Sequence, residues 1–183
     1  MIGNFIADHI RGNHFDHFSA EIQQGIFLHR QIDTFTDKHK ITRISKRRLH
    51  ERYGHYDGVI IDIFYDHFLA KNWNKYSEIP LDVYVQSVYK LLEDNIEILP
   101  KKTKELLPFM IEYNWLYNYQ FLDGIERVLK GMNKRTKGKS QMDLAIEDLQ
   151  LLYKELQEDF TLFFEDLRTF SLERISEINQ LNL

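Results

Sequence analysis

At 183 residues, with 43% hydrophobic and 14% aromatic side chains, the chain is long enough to bury the core of one ordinary domain and too apolar to be a disordered segment. The absence of cysteine excludes disulfides, a thiolate nucleophile and a zinc–sulfur site, and it suits a reducing, cytoplasmic setting. A net charge of −4 argues against general nucleic-acid binding, and no apolar run approaches the roughly 20 residues a membrane span needs.

With only three prolines and eight glycines, long helices are allowed. Residues 1–11 are predicted as a short amphipathic helix with Ile2, Phe5, Ile6 and Ile10 on its apolar side and Gly12-Asn13 as its stop. Asp8 and His9 interrupt this apolar stretch, so it is not a secretory signal. Asp8 falls inside the apolar pattern, where a carboxylate needs a cation, a hydrogen bond or a metal beside it. Residues 19–39 form the next helix, with Ser19 as its N-cap. Side chains four apart share one helix face, so His29, Asp33 and Asp37 make a single polar line. Ile22, Ile26, Phe27 and Ile32 give the same helix a core to face.

Residues 42–53 follow as a helix closed by Gly54, with a basic surface of Arg43, Lys46, Arg47, Arg48 and Arg52. Gly58 opens the next, which runs to Trp73 and places Asp62 and Asp66 four apart. His67 lies about 100° round that helix from Asp66. Pro80 suits the first turn of a further helix, which Pro100 ends. Residues 103–113 and 116–132 are expected as two more. A long helix should then run from Gln141 to about Ile178, broken near Thr169-Phe170-Ser171. No segment alternates with period two, and Asp57-Gly58 lies between helical patterns, not between strands. The fold expected is all-α: one compact domain over residues 1–183, of about seven or eight helices.

Three segments thus place acidic or imidazole groups on otherwise apolar helices: Asp8; His29 with Asp33 and Asp37; and Asp62 with Asp66 and His67. Taken singly, each carboxylate reads as a surface charge. Converging Asp and His from several helices are how metal sites are built in all-α folds, and carboxylate-rich sets favour Mg²⁺ or Mn²⁺. Such an ion lowers the pKa of a bound water and neutralises a phosphate oxygen, as hydrolysis requires.

Residues 3–8 (GNFIAD), 11–13 (RGN), 29–33 (HRQID) with Thr36-Asp37, 65–73 (YDHFLAKNW) and 131–135 (GMNKR) resemble, in the same order, the acyl carrier protein phosphodiesterases. These are regarded as atypical relatives of the HD-domain metal-dependent phosphohydrolases. They remove the 4′-phosphopantetheine arm from the serine of holo acyl carrier protein, typically with Mn²⁺ or Mg²⁺. Members usually begin with an additional short apolar segment containing a histidine ahead of the Gly-Asn motif, whereas here Met1 stands two residues before Gly3. The resemblance implies Asp8, His29, Asp33 and Asp66 as metal ligands. It makes Asp33, Asp37 and His67 the candidates to accept a proton from the attacking water. Asp62 receives less support from it. Arg30 and Arg135 are the cations best placed by motif to offset phosphoryl charge. His9, His14, His17, His39, His50 and His55 have no partner at helical spacing and are expected in loops or exposed.

An enzyme acting on acyl carrier protein, which resembles an acidic helix bundle, should carry a basic docking patch. Two are on offer: residues 43–52, with Arg47 and Arg48, and residues 130–139, with Lys134, Arg135 and Lys137. Aromatic residues are not interleaved among them as RNA recognition requires. Two further readings stand beside this one: a phosphohydrolase acting on a nucleotide or small phosphate ester, and a non-catalytic helical module that binds acyl carrier protein.

Overall fold

Apolar side chains at helical spacing fold as helices joined by turns and loops over residues 1–180, the part of the chain described by the computed structural model, and no strand occurs among these residues. In chain order they are α1 (Ile2–Ile6), α2 (Ala20–Lys38), α3 (Lys40–Tyr53), α4 (Asp57–Lys71), α5 (Leu81–Asp94), α6 (Lys101–Glu112), α7 (Trp115–Asn118), α8 (Leu122–Arg135), α9 (Ala145–Leu151) and α10 (Tyr153–Gln180). The all-α expectation holds.

The central element is α4. It is apolar on most sides, so it is buried on most sides: Ile60, Ile61, Ile63, Phe64, Tyr65, Phe68 and Ala70 are all withdrawn from water. Helices α3, α8 and α10 pack around it, with Leu49, Ile125, Leu129, Leu156, Phe160 and Phe163 completing the main core. A second cluster joins α1, α2, α5 and α6 through Ile6, Ile26, Leu92 and Leu107.

Helix α1 lies against α2 at a distance that only glycine permits. A Cβ on Gly3 would stand 2.0 Å from the Ile22 carbonyl oxygen, and one on Gly25 would stand 2.9 Å from the Asn4 nitrogen. This close approach fixes where the chain after α1 must run.

Three expected rods are divided. The first helix ends at Ile6 and tightens into a 3₁₀ turn over Ala7–His9, and Ile10 is extended. The Arg30 guanidinium on α2 donates to the carbonyls of Ile10 (3.3 Å) and Gly12 (2.5 Å), which takes those acceptors out of any helical ladder. The segment expected over 116–132 is interrupted between α7 and α8, where the Tyr119 carbonyl accepts from His67 and Gly124 sits against the Asn118 carbonyl. The last rod breaks at Leu152, not near Thr169. Its short first piece, α9, rests on α8, while α10 crosses α2, α3 and α4. Thr169 stays helical, and its hydroxyl donates to the Glu165 carbonyl one turn back.

Candidate functional site

The 3₁₀ turn after α1 carries Asp8 over the exposed face of α2. There the His29 Nε2 stands 3.1 Å from an Asp8 carboxylate oxygen and 3.2 Å from one of Asp33. One donor atom from each of the three lies within 4.8 Å of the others. His29 is mostly covered, whereas Asp8 and Asp33 are open to solvent, so the group faces outward from a firm base. Helical spacing supplies His29 and Asp33, and the glycine contact between α1 and α2 supplies Asp8.

The charges respond to this crowding. The hydrogen bond from His29 holds the Asp8 carboxyl below its ordinary range, and the same bond raises the His29 imidazole. Asp33 is pushed up by desolvation, with the charges of Asp8 and Asp37 adding to it against the pull of His29. Asp37, one turn further along α2, accepts from Lys46 Nζ of α3 at 2.9 Å. The lysine's Cε and Nζ pass beside Gly58 of α4, where a Cβ would stand 3.4 Å from both, an ordinary contact distance.

Asp62 on α4 lies outside that three-residue group and keeps accessible surface, yet it is within range of the same charges. Burial pushes its carboxyl up to about 6; Lys46 opposes this, and the charges of Asp37, Asp33 and Asp8 reinforce it. Asp66, one turn on, is pushed up to about 7 by desolvation and by Asp62. Asp66 keeps accessible surface, but that surface opens into a cleft of about 390 Å³ walled by Phe5, Trp73, Tyr84, Leu116 and Tyr119. Its carboxyl is therefore wet on one side and crowded by apolar side chains on the others. The group that meets at His29 is Asp8 and Asp33. Asp66, expected as a fourth ligand, lies outside that group: the one charge that acts on it is that of Asp62, and its open side faces the other cleft.

His67 is fully buried, and both of its ring nitrogens are engaged. Nδ1 donates to the Tyr119 carbonyl at 2.8 Å, and Nε2 accepts from the Tyr153 hydroxyl at 2.9 Å. Desolvation lowers its pKa and keeps it neutral. It joins α4 to α10 and to the turn between α7 and α8.

The basic residues divide by contact. Arg30 spreads over the Phe15 ring (5.0 Å) and the loop carbonyls, so it holds the chain just after Asp8. Arg48 Nε donates to Asp159 at 3.2 Å, and Arg52 donates to Asp148 at 2.9 Å, both across to neighbouring helices. Arg47, Lys134, Arg135 and Lys137 are exposed. Of the other histidines, His39 caps α3 through Ile41 N and pairs with Asp166, His9 meets the Thr103 hydroxyl at 2.9 Å, and His50 pairs with Asp57 at 2.8 Å. Lys46 is the site residue that sequence spacing does not single out. It reads there as one cation of a basic face, and nothing in that face marks the one that turns toward Asp37.

Comparison with known proteins gives a single answer. An acyl carrier protein phosphodiesterase of Photorhabdus laumondii is 32% identical over 90% of this chain and 83% of its own length. One from Klebsiella pneumoniae strain 342 is 30% identical over 98% and 91%, and one from Salmonella agona is 28% identical over 90% and 86%. No solved structure matches. The profile of the acyl carrier protein phosphodiesterase family matches residues 1–167, which contain every one of the acids just described, and the chain belongs to that family.

Proposed function

We propose that the chain hydrolyses the phosphodiester between 4′-phosphopantetheine and the serine of holo acyl carrier protein, giving the apo protein and free 4′-phosphopantetheine. The observation that carries this reading is the meeting of Asp8, His29 and Asp33, drawn from two separate stretches of the family match, at one solvent-facing point. One imidazole and two carboxylates suit Mn²⁺ or Mg²⁺, with Asp62 on α4, whose carboxyl feels the charges of Asp8 and Asp33, as the candidate for a further oxygen donor. A divalent ion bound there supplies a water of lowered pKa and offsets charge on the phosphoryl oxygens.

The chain's own residues do the rest. His29 would hold such an ion as the neutral imidazole, giving up the Nε2 proton it shares with the two carboxylates. Asp37 lies outside the three-residue group and is oriented by Lys46, so it is placed to accept the proton of the attacking water. The Lys46 ammonium, beside Asp37, is a positive charge that would offset the charge of phosphoryl oxygens bound on that side. As the bond from water oxygen to phosphorus forms, the bond from phosphorus to the serine oxygen breaks. The proton taken by Asp37 passes to that serine oxygen.

The test is incubation with holo acyl carrier protein and Mn²⁺ followed by intact-mass analysis. The carrier protein should lose the mass of its prosthetic group, and Asp37→Asn should slow that loss by about 10²-fold or more while leaving Mn²⁺ affinity by calorimetry near its original value. A carrier protein of unchanged mass after prolonged incubation with Mn²⁺ or Mg²⁺ overturns the reading.

A further inference from the structure

A groove of about 860 Å³ runs between α2 and α10 on another flank of α2. Its floor is aromatic. Phe35 and Phe170 stack with ring centroids 4.4 Å apart, and Phe27 beside them is half exposed, at 52%. Its edges are cationic: Arg30, Lys38, Lys40 and Arg174 face a single carboxylate, Asp166. That carboxylate is taken by His39 at 3.2 Å, and Arg174 pairs with Glu177 at 2.8 Å. Lys38 and Lys40 are exposed and make no ion pair among the described residues. Two polar atoms on the groove, Gln31 Oε1 and Arg174 Nε, are shielded from water and lack a hydrogen-bond partner among the described residues. Buried polar atoms are seldom left so.

The groove face of α2, residues 27, 31, 34 and 38, is centred about 130° round the helix from the row of His29, Asp33 and Asp37. It extends about 16 Å along the axis, three turns of a partner helix. We propose that this groove is the docking surface for the protein substrate, received as an amphipathic helix. The partner's apolar face would rest on Phe27, Phe35 and Phe170, and carboxylates along its edges would meet Lys38 and Lys40. This rests on the reading that an acyl carrier protein is hydrolysed at the Asp8–His29–Asp33 group. Laying an apolar helix face into a groove gives affinity, and the rim charges set approach and orientation. A surface carried by α2 itself keeps the partner within about one helix diameter, ~10 Å, of His29 and Asp33, which a diester borne on the partner requires. Both lysines lie within the residues that match the family.

Two charge-reversed chains, Lys38→Glu with Lys40→Glu and Lys134→Glu with Lys137→Glu, are compared with the unaltered one. Turnover of holo acyl carrier protein is followed with Mn²⁺, and affinity for the apo protein is followed by fluorescence anisotropy at low and high ionic strength. The groove pair should raise KM and Kd about tenfold with kcat retained, and the defect should shrink as salt rises. Phe27→Ser should weaken binding as well, with little salt dependence. Equal binding by the groove variants and the unaltered chain overturns the proposal. So does a loss found only with Lys134 and Lys137, or a fall in kcat at constant KM. Failure of the unaltered chain to release the prosthetic group would instead sink the proposed activity, and the anisotropy measurement still reads the docking surface in that case.

Discussion

Asp62 and Asp66 stand where their charged forms are disfavoured, with carboxyls at about 6 and about 7. An unfolded Asp titrates near 3.9, so between about pH 4 and pH 7 the folded chain binds more protons than the unfolded one. Stability therefore falls as pH rises through that window. His29 acts in the same direction: its raised pKa contributes stability below about 6.5 that is lost as pH climbs through the folded value. The metal-free chain, held in chelator, should melt at a higher temperature at pH 5.5 than at pH 7.5, and Asp66→Asn should raise the melting temperature at pH 7.5. A divalent ion selects the carboxylate forms and the neutral imidazole, so the gain in melting temperature on adding Mn²⁺ should be larger at pH 7.5 than at pH 5.5. Thermal scans at the two pH values, with and without ion, decide this. A chelated chain that is more stable at the higher pH contradicts the environments described for these acids.

Among the elements, the pairing of α1 with α2 governs the site, because it brings Asp8 to His29. Gly3→Ala places a methyl group 2.0 Å from a carbonyl oxygen that belongs to backbone and cannot step aside. Overpacking of this kind costs about 1–3 kcal/mol or more, and relief by moving α1 carries Asp8 away from His29. Gly3→Ala should thus lower both denaturant stability and Mn²⁺ affinity. Gly131 on α8 is the contrast: nothing lies within 4 Å of a Cβ there, so Gly131→Ala should stabilise by about 0.5–1 kcal/mol and leave ion binding alone. Equal effects from the two substitutions would mean that the helix contact does not control the site.

Over the whole molecule, α10 is tied to the central helices by a buried polar network. Asp159, 8% exposed, accepts from the Ser45 hydroxyl at 2.8 Å and from Arg48 Nε at 3.2 Å. Ser45 spends its proton on Asp159, so the Tyr65 hydroxyl donates to Ser45 at 2.8 Å, and burial pushes that phenol up to about 12. Removing one partner leaves the others buried and unmatched. Asp159→Ala should cost about 2–4 kcal/mol in urea denaturation, and Arg48→Ala, whose side chain is one-third exposed, about 1–2. Arg47→Ala, two-sidedly solvated by comparison, should change little. An Arg48→Ala chain of undiminished stability would return Arg48 to the role of a free surface charge.

The sequence by itself determined the all-α class and the polar line of His29, Asp33 and Asp37, because helical periodicity and the four-residue stacking of side chains are properties of a few consecutive residues. It also carried the family motifs. Which faces meet was decided only in three dimensions. Asp8 reaches His29 through two glycines whose missing side chains let α1 and α2 touch, and no spacing within either helix announces that contact. The rod boundaries at Ile6, between α7 and α8, and at Leu152 depend on partners from other helices, such as Arg30 for the Ile10 carbonyl and His67 for that of Tyr119. Lys46 and Arg48 stand two apart in one basic run, yet about 200° of helix rotation separates them. One meets Asp37 at the site and the other meets Asp159 in α10. His67, adjacent to Asp66, turns instead into the core between a carbonyl and a phenol. Direction around a helix is local and can be read from spacing, whereas what covers each direction belongs to residues far along the chain.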